Sequence, residues 1–167
     1  MISAIVAVDK NYGIGYQGKL LCPIKEDLKR FKQITTGSVV VMGRKTWDSL
    51  LNEPLPNRTN VVVTSNVDGM QMKNGVIYTT LELLEKCIVD ISNKHDVFII
   101  GGGQIYKELL PYCTHVHLTK IHKKFENVDT YFPNIKNDDN WELTLESDII
   151  TANKINYQFL IYKRKED

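Results

Sequence analysis

Asp27 is the residue with the clearest chemical interest. The segment Pro23-Ile24-Lys25-Glu26-Asp27-Leu28-Lys29-Arg30-Phe31-Lys32-Gln33-Ile34 has the apolar period of a helix, with proline near its start. Ile24, Leu28, Phe31 and Ile34 form the apolar stripe, and Asp27 projects from it, whereas Glu26 and Lys29 do not. Two readings stand. An acid in the first turn complements the positive end of the helix dipole. Alternatively, the carboxylate is buried beside an aromatic ring, where lost hydration opposes its charge until a ligand pairs with it. A group of that kind suits recognition and protonation of a nitrogen heterocycle.

Glycines supply a second chemistry. Val39-Val40-Val41-Met42 runs into Gly43 and a helix starting Arg44-Lys45-Thr46, and Val97-Phe98-Ile99-Ile100 runs into Gly101-Gly102-Gly103 and a helix starting at Gln104. Each junction offers free backbone N–H groups and a helix dipole at the carboxyl end of a strand, where open parallel sheets bind ligands. For either alone, the plain alternative is a tight turn beside solvated cations. Together they point to an extended ligand with several phosphates, and Val61-Val62-Val63-Thr64-Ser65-Asn66 adds a strand ending in hydroxyls. Gly13-Ile14-Gly15-Tyr16-Gln17-Gly18 matches the dinucleotide fingerprint only as text. Asp9-Lys10-Asn11-Tyr12 separates it from the preceding strand, and Pro23 follows before any helix begins. A flexible loop is expected there, a candidate lid. His115 and His117 alternate on one strand face with Thr119, but no third ligand stands near; packing or surface roles, and no metal site, are expected.

Strands are expected over 2–8, 38–42, 60–64, 76–78, 96–100 and 116–121, mostly as continuous Val/Ile runs that suit a parallel sheet covered on both faces. Helices are expected over 25–34, 44–51, 81–91 and 104–110, the third capped by Thr80 with Leu81, Leu84, Ile88 and Ile91 inward. Two further strands, 141–147 and 155–163, flank a polar linker at 148–154 and suggest an antiparallel hairpin at one edge. The expected fold is α/β: one domain over 1–167, a mostly parallel central sheet of about eight strands, and four flanking helices. Trp47 and Trp141 read as structural aromatics.

Composition narrows the partners. The chain has 167 residues, 43% of them apolar, and its 21 basic residues nearly cancel 20 acidic ones for a net charge of +1. No sustained field favours nucleic acid or an anionic membrane, and neither is expected as a partner. No apolar run approaches a membrane span of about 18 residues. The N-terminal apolar stretch lacks the basic lead-in of a signal peptide. The 3 cysteines (Cys22, Cys87, Cys113) lack metal-ligand spacing, and reduced thiols in a cytoplasmic monomer are expected.

In combination these segments resemble dihydrofolate reductase over essentially the whole chain. The likeness is carried by Met1–Val8, Gly13-Ile14-Gly15, Glu26-Asp27-Leu28-Lys29-Arg30-Phe31-Lys32 and Val41-Met42-Gly43-Arg44-Lys45-Thr46-Trp47. It continues through Pro54-Leu55-Pro56-Asn57-Arg58, Ile100-Gly101-Gly102-Gly103-Gln104-Ile105-Tyr106, Leu118-Thr119-Lys120-Ile121 and Asp129-Thr130-Tyr131-Phe132-Pro133.

The resemblance implies NADPH-dependent reduction of dihydrofolate, with antifolate inhibitors as further ligands. Catalysis would rest on Asp27, Thr119 and Leu20, with Asp27 gripping the pteridine and Thr119 holding the carboxylate. Ile5, Ala7, Leu20, Leu28, Phe31, Leu50 and Leu55 would wall the folate cleft, Lys32 would flank it, and Arg58 would pair with the substrate's glutamate α-carboxylate. On the cofactor side, Ala7 and Ile14 would offer backbone groups to the nicotinamide carboxamide. Gly43, Arg44, Lys45, Thr46, Gly102, Gly103, Gln104 and Ile105 would hold the phosphates, and Thr64 and Ser65 would mark the 2′-phosphate. A cis peptide bond between Gly101 and Gly102 is also implied.

The pattern departs in four places. Cys22 stands where the family usually carries Trp, Leu21 where Pro is usual, and Gln104 where Arg is frequent. Asn127-Val128 precedes Asp129 in place of a common Gly-Asp pair, in the loop that supports the lid. Two other readings stay open: a related reductase acting on another heterocycle, and a non-catalytic NADPH- or folate-binding module.

Overall fold

Continuous Val/Ile runs fill both faces of one sheet. In the computed structural model, which describes residues 1–70 and 73–166, alternate residues of each run enter two different apolar layers. Val39 and Val41 pack on one side, while Val40 and Met42 pack on the other. That is the burial a parallel strand needs when helices cover both faces.

The strands are β1 (Ile2–Val8), β2 (Gly13–Tyr16), β3 (Lys19–Leu20), β4 (Val39–Gly43), β5 (Thr59–Val63) and β6 (Val76–Thr79). They continue with β7 (Val97–Gly101), β8 (His115–Ile121), β9 (Thr130–Tyr131), β10 (Trp141–Glu146), β11 (Ile150–Ala152) and β12 (Ile155–Arg164). The helices are α1 (Lys25–Thr35), α2 (Arg44–Ser49), α3 (Leu81–Ser92) and α4 (Gly103–Leu109).

The main sheet runs β10-β12-β8-β1-β7-β4-β5-β6, with β11 on β12. From β8 through to β6 every pairing is parallel, while β10 and β8 flank β12 antiparallel. The expected α/β sheet with a C-terminal antiparallel edge is therefore present. Helices α3 and α4 send Leu84, Ile88, Tyr106 and Leu109 into one layer. Phe31 and Ile34 of α1 and Trp47 of α2 close the other. Thr80 caps α3 as expected, its hydroxyl accepting from Leu83 N at 3.3 Å. Trp47 and Trp141 are both buried.

Two expectations need correction. The segment beginning at Gly13 is a β-hairpin, and β9 pairs with its β2 strand. Between the paired Tyr16 and Lys19, Gln17 and Gly18 both take positive φ (50° and 76°), the two-residue turn whose twist matches a hairpin. Likewise the polar segment at 148–154 contains β11, which pairs with β12 across Asn153 and Lys154 at φ 49° and 64°. These strands, two to four residues long, are too short to show a hydrophobic period.

Candidate active site

The site is built where β1, β8 and α1 meet. Ile24, buried at the N-cap of α1, anchors the helix start, so the next turn carries Asp27 inward while Glu26 stays exposed. Asp27 lines a cleft with Ala7, Ile14, Leu20, Cys22 and Leu28. Thr119, 3% exposed on β8, donates its hydroxyl to Asp27 Oδ1 at 2.5 Å. Burial raises the Asp27 carboxyl above its ordinary value, against the opposing pull of the Thr119 hydrogen bond and the Arg30 charge. Asp27 thus combines both features: it is an acid of the first turn of α1, and it stands partly buried on the helix's apolar side. Leu20 and Leu28 are exposed at the cleft mouth, so apolar surface flanks the acid without covering it.

Farther along α1 the wall continues through Phe31, which packs with Ile5, Leu50 and Leu55 in the same apolar cluster. Arg58 sits over this end, its guanidinium carbon 5.9 Å from the Phe31 ring centroid. Its Nε donates to Pro56 O at 2.9 Å and its Nη1 to Thr35 Oγ1 at 3.1 Å. A guanidinium has five N–H donors, so this leaves a prong for an anion. Asn60, fully buried, shapes the loop that carries Arg58: its side chain accepts from Leu55 N and donates to Leu55 O and Arg58 O. Lys32 is exposed on α1.

The second half of the site follows from sheet order. Because β4 pairs with β7, the two glycine junctions lie side by side at the carboxyl edge. A Cβ on Gly43 would stand 3.0 Å from Ile105 Cγ1 and 3.8 Å from Gly102 N, and one on Gly102 would stand 3.5 Å from Thr46 Oγ1. The backbone therefore forms a cradle that a side chain at Gly43 would fill. Among the described residues no side chain caps α2 or α4, which leaves their first N–H groups for a ligand. The Gly101–Gly102 peptide bond is cis, as the resemblance implies. Arg44 and Lys45 are exposed, with Arg44 Nε held by Asp48 at 3.1 Å. Thr64 is buried just beyond β5, its hydroxyl accepting from Asn66 N, and Ser65 is exposed beside it. Gln104 and Gly103 border a wide groove with Tyr131 and Pro133. These residues suit a phosphate-bearing cofactor: free amides, a glycine cradle, exposed cations and hydroxyls share one edge.

Several contributors were not picked out from the sequence. Asp9, 1% exposed, accepts hydrogen bonds from Asn11 N, Gly13 N and Phe125 N, and so fixes the hairpin's entry. Tyr106 is buried and donates its hydroxyl to Ile5 O at 2.7 Å, bracing β1 behind the cleft. Thr35 was equally unforeseen. Asp129 N donates to Gly15 O, and its carboxylate accepts from Gln17 N at 2.8 Å. Val128 fills the space that Gly13 leaves, since a Cβ there would stand 2.8 Å from Val128 Cγ1. The hairpin is thus supported without the usual pair.

Comparison with known proteins agrees with this geometry. Residues 1–164 match a family model described as dihydrofolate reductase. The dihydrofolate reductase of Bacillus subtilis is 40% identical over 168 residues, covering 99% of this chain and 95% of that protein. That of Buchnera aphidicola from Acyrthosiphon pisum is 39% identical over 166 residues, covering 98% and 99%. A bifunctional dihydrofolate reductase-thymidylate synthase of Paramecium tetraurelia is 43% identical over 122 residues, covering 71% of this chain and 25% of that longer protein. With the family model matched over residues 1–164 around a cleft of this construction, the chain belongs to the dihydrofolate reductase family.

Proposed function

We propose that this reductase converts 7,8-dihydrofolate to 5,6,7,8-tetrahydrofolate with NADPH as the reductant. The observation that carries the reading is the Asp27 carboxylate, hydrogen-bonded by Thr119 and lodged in an apolar cleft. A carboxylate stripped of much of its water favours a ligand that returns paired N–H donors, and the pteridine's amino group and ring N–H are such a pair. Thr119 fixes one carboxylate oxygen, so the acid keeps its orientation as the ring enters.

When bound, NADPH supplies the hydride. The chain's own work is to orient the rings, exclude water and deliver a proton. Asp27 is the acid of the cleft; it raises the proton supply to the imine nitrogen through a water, and Leu20 at the mouth limits access of bulk solvent. Ile5, Ala7, Leu28, Phe31, Leu50 and Leu55 wall the substrate, and Arg58 pairs with its glutamate α-carboxylate while Lys32 flanks the tail. Antifolates would occupy the same wall.

For the cofactor, backbone groups of Ala7 and Ile14 would hold the carboxamide. The cradle at Gly43 and Gly102, with Arg44, Lys45, Thr46, Gly103, Gln104 and Ile105, would hold the phosphates. Thr64 and Ser65, with Arg44 as their basic neighbour, would flank the 2′-phosphate that separates NADPH from NADH. The test is loss of the NADPH absorbance band when dihydrofolate is added to purified protein. Oxidation that depends on both substrates is expected, and none above background would overturn the reading.

A further inference from the structure

One helical turn after the cleft carboxylate, α1 carries a cation that takes no part in hydride or proton transfer. Arg30 follows Asp27 by one turn of α1, on the neighbouring row of the same helix side. Its guanidinium carbon sits 4.3 Å from the centroid of the Phe159 ring. Phe159 on β12 is the register partner of Thr119 on β8, and Thr119 holds Asp27. The cation is therefore clamped onto the residue directly opposite the one that orients the acid. Among the described residues Arg30 forms no salt bridge, so its charge is not consumed by a closer partner.

We propose that Arg30 is a positioning residue for the substrate cleft: clamped on Phe159, the register partner of Thr119, it sets a fixed positive charge one helical turn from the Asp27 carboxylate that grips the ring. This rests on the reading of Asp27 as the substrate anchor. The ionisable groups around Asp27 are Arg30 and Glu26 on α1, Tyr157 on β12, Tyr106 on α4 and Cys22 before α1, and His117 on β8 stands near Arg30. Burial keeps both phenols protonated, raising them above their ordinary values. His117 stays neutral because burial, then Arg30, lowers it to about 4. Among the described residues its buried Nδ1 has no hydrogen-bond partner, which also disfavours a charged ring. Arg30 is then the cation of the group. It opposes the desolvation that drives Asp27 toward its neutral form, alongside the Thr119 hydroxyl. Arginine suits the place because its flat, weakly hydrated guanidinium stacks on an aromatic face and stays charged when half-buried.

The test is a carboxyl-carbon NMR titration of Asp27 in the ligand-free protein, comparing the parent with Arg30→Met and Arg30→Lys. Dihydrofolate-dependent NADPH oxidation is followed over the same pH range. In Arg30→Met the Asp27 midpoint should move up by about one pH unit, the scale of losing one nearby opposite charge. Arg30→Lys should restore most of that shift. KM for dihydrofolate at neutral pH should rise in Arg30→Met and recover in Arg30→Lys. An Arg30→Met midpoint equal to the parent's, or an Arg30→Lys midpoint displaced as far as that of Arg30→Met, overturns the inference. If Arg30→Met does not fold, Arg30→Gln reads the same midpoint. The titration needs no substrate, so the two ideas fail separately. A parent without dihydrofolate-dependent turnover overturns the proposed reaction, and an unmoved midpoint overturns the role of Arg30.

Discussion

Replacing Thr35 with valine should weaken dihydrofolate binding without slowing the chemistry, although Thr35 lies at the far end of α1 from Asp27. The Thr35 side chain is fully buried, and valine has nearly its shape, so the exchange removes the hydroxyl's hydrogen bonds rather than packing. What is lost is the oxygen that accepts from Arg58 Nη1 at 3.1 Å and donates to Phe31 O at 2.8 Å. A hydrogen bond to a charged group contributes about 1.5–3 kcal/mol. Water can replace this one in part, because Arg58 is only half-buried; about 1 kcal/mol is then the expected loss of preorganisation. At about 1.4 kcal/mol per factor of ten, KM for dihydrofolate should rise roughly fivefold. The turnover number should hold, because a remote carboxylate is bound equally in the ground and transition states. The assay is steady-state NADPH oxidation with dihydrofolate varied, repeated with a dihydropterin that lacks the glutamate tail. The two proteins should differ only on the tailed substrate. An equal loss on both substrates, or an unchanged KM where Arg58→Ala raises it, would refute the reasoning.

Three further outcomes follow from the same geometry. Asp27→Asn should fold and bind NADPH but lose about 10²–10⁴-fold in activity at neutral pH, recovering as pH falls and solvent supplies the proton; wild-type turnover at neutral pH would mean the proton route is misassigned. Arg44→Ala should weaken NADPH binding and leave NADH binding nearly unchanged, as read by titration calorimetry; equal losses would place Arg44 away from the 2′-phosphate. His117 titrates near 4 in the fold against 6.5 when free, so the unfolded chain binds the extra proton between those values. The stability this gives is complete above about pH 6.5 and is lost as pH falls toward 4; a urea-melt series should show a shallower acid decline in His117→Phe, and parallel curves would contradict it.

Much of this architecture was legible in the chain because its strands are continuous Val/Ile runs and its helices carry a regular apolar stripe. Patterns of that strength survive any tertiary arrangement. The Asp27 stripe and the two glycine junctions were legible for the same reason, since each is defined by neighbours within one or two turns. The β2–β3 hairpin and β11 were not, because strands of two to four residues carry no measurable period and depend on turns at Gln17-Gly18 and Asn153-Lys154.

What the tertiary structure alone decided is which distant groups meet. Sheet order places β4 beside β7 and so merges two separate turns into one cradle. It brings Tyr106 to Ile5 across 101 residues and Asp9 to Phe125 across 116. Thr119 reaches Asp27 across 92 residues, and Arg30 reaches the ring opposite Thr119. Local sequence encodes propensity and pattern, whereas hydrogen bonds and fields between remote side chains exist only once packing has fixed their distances.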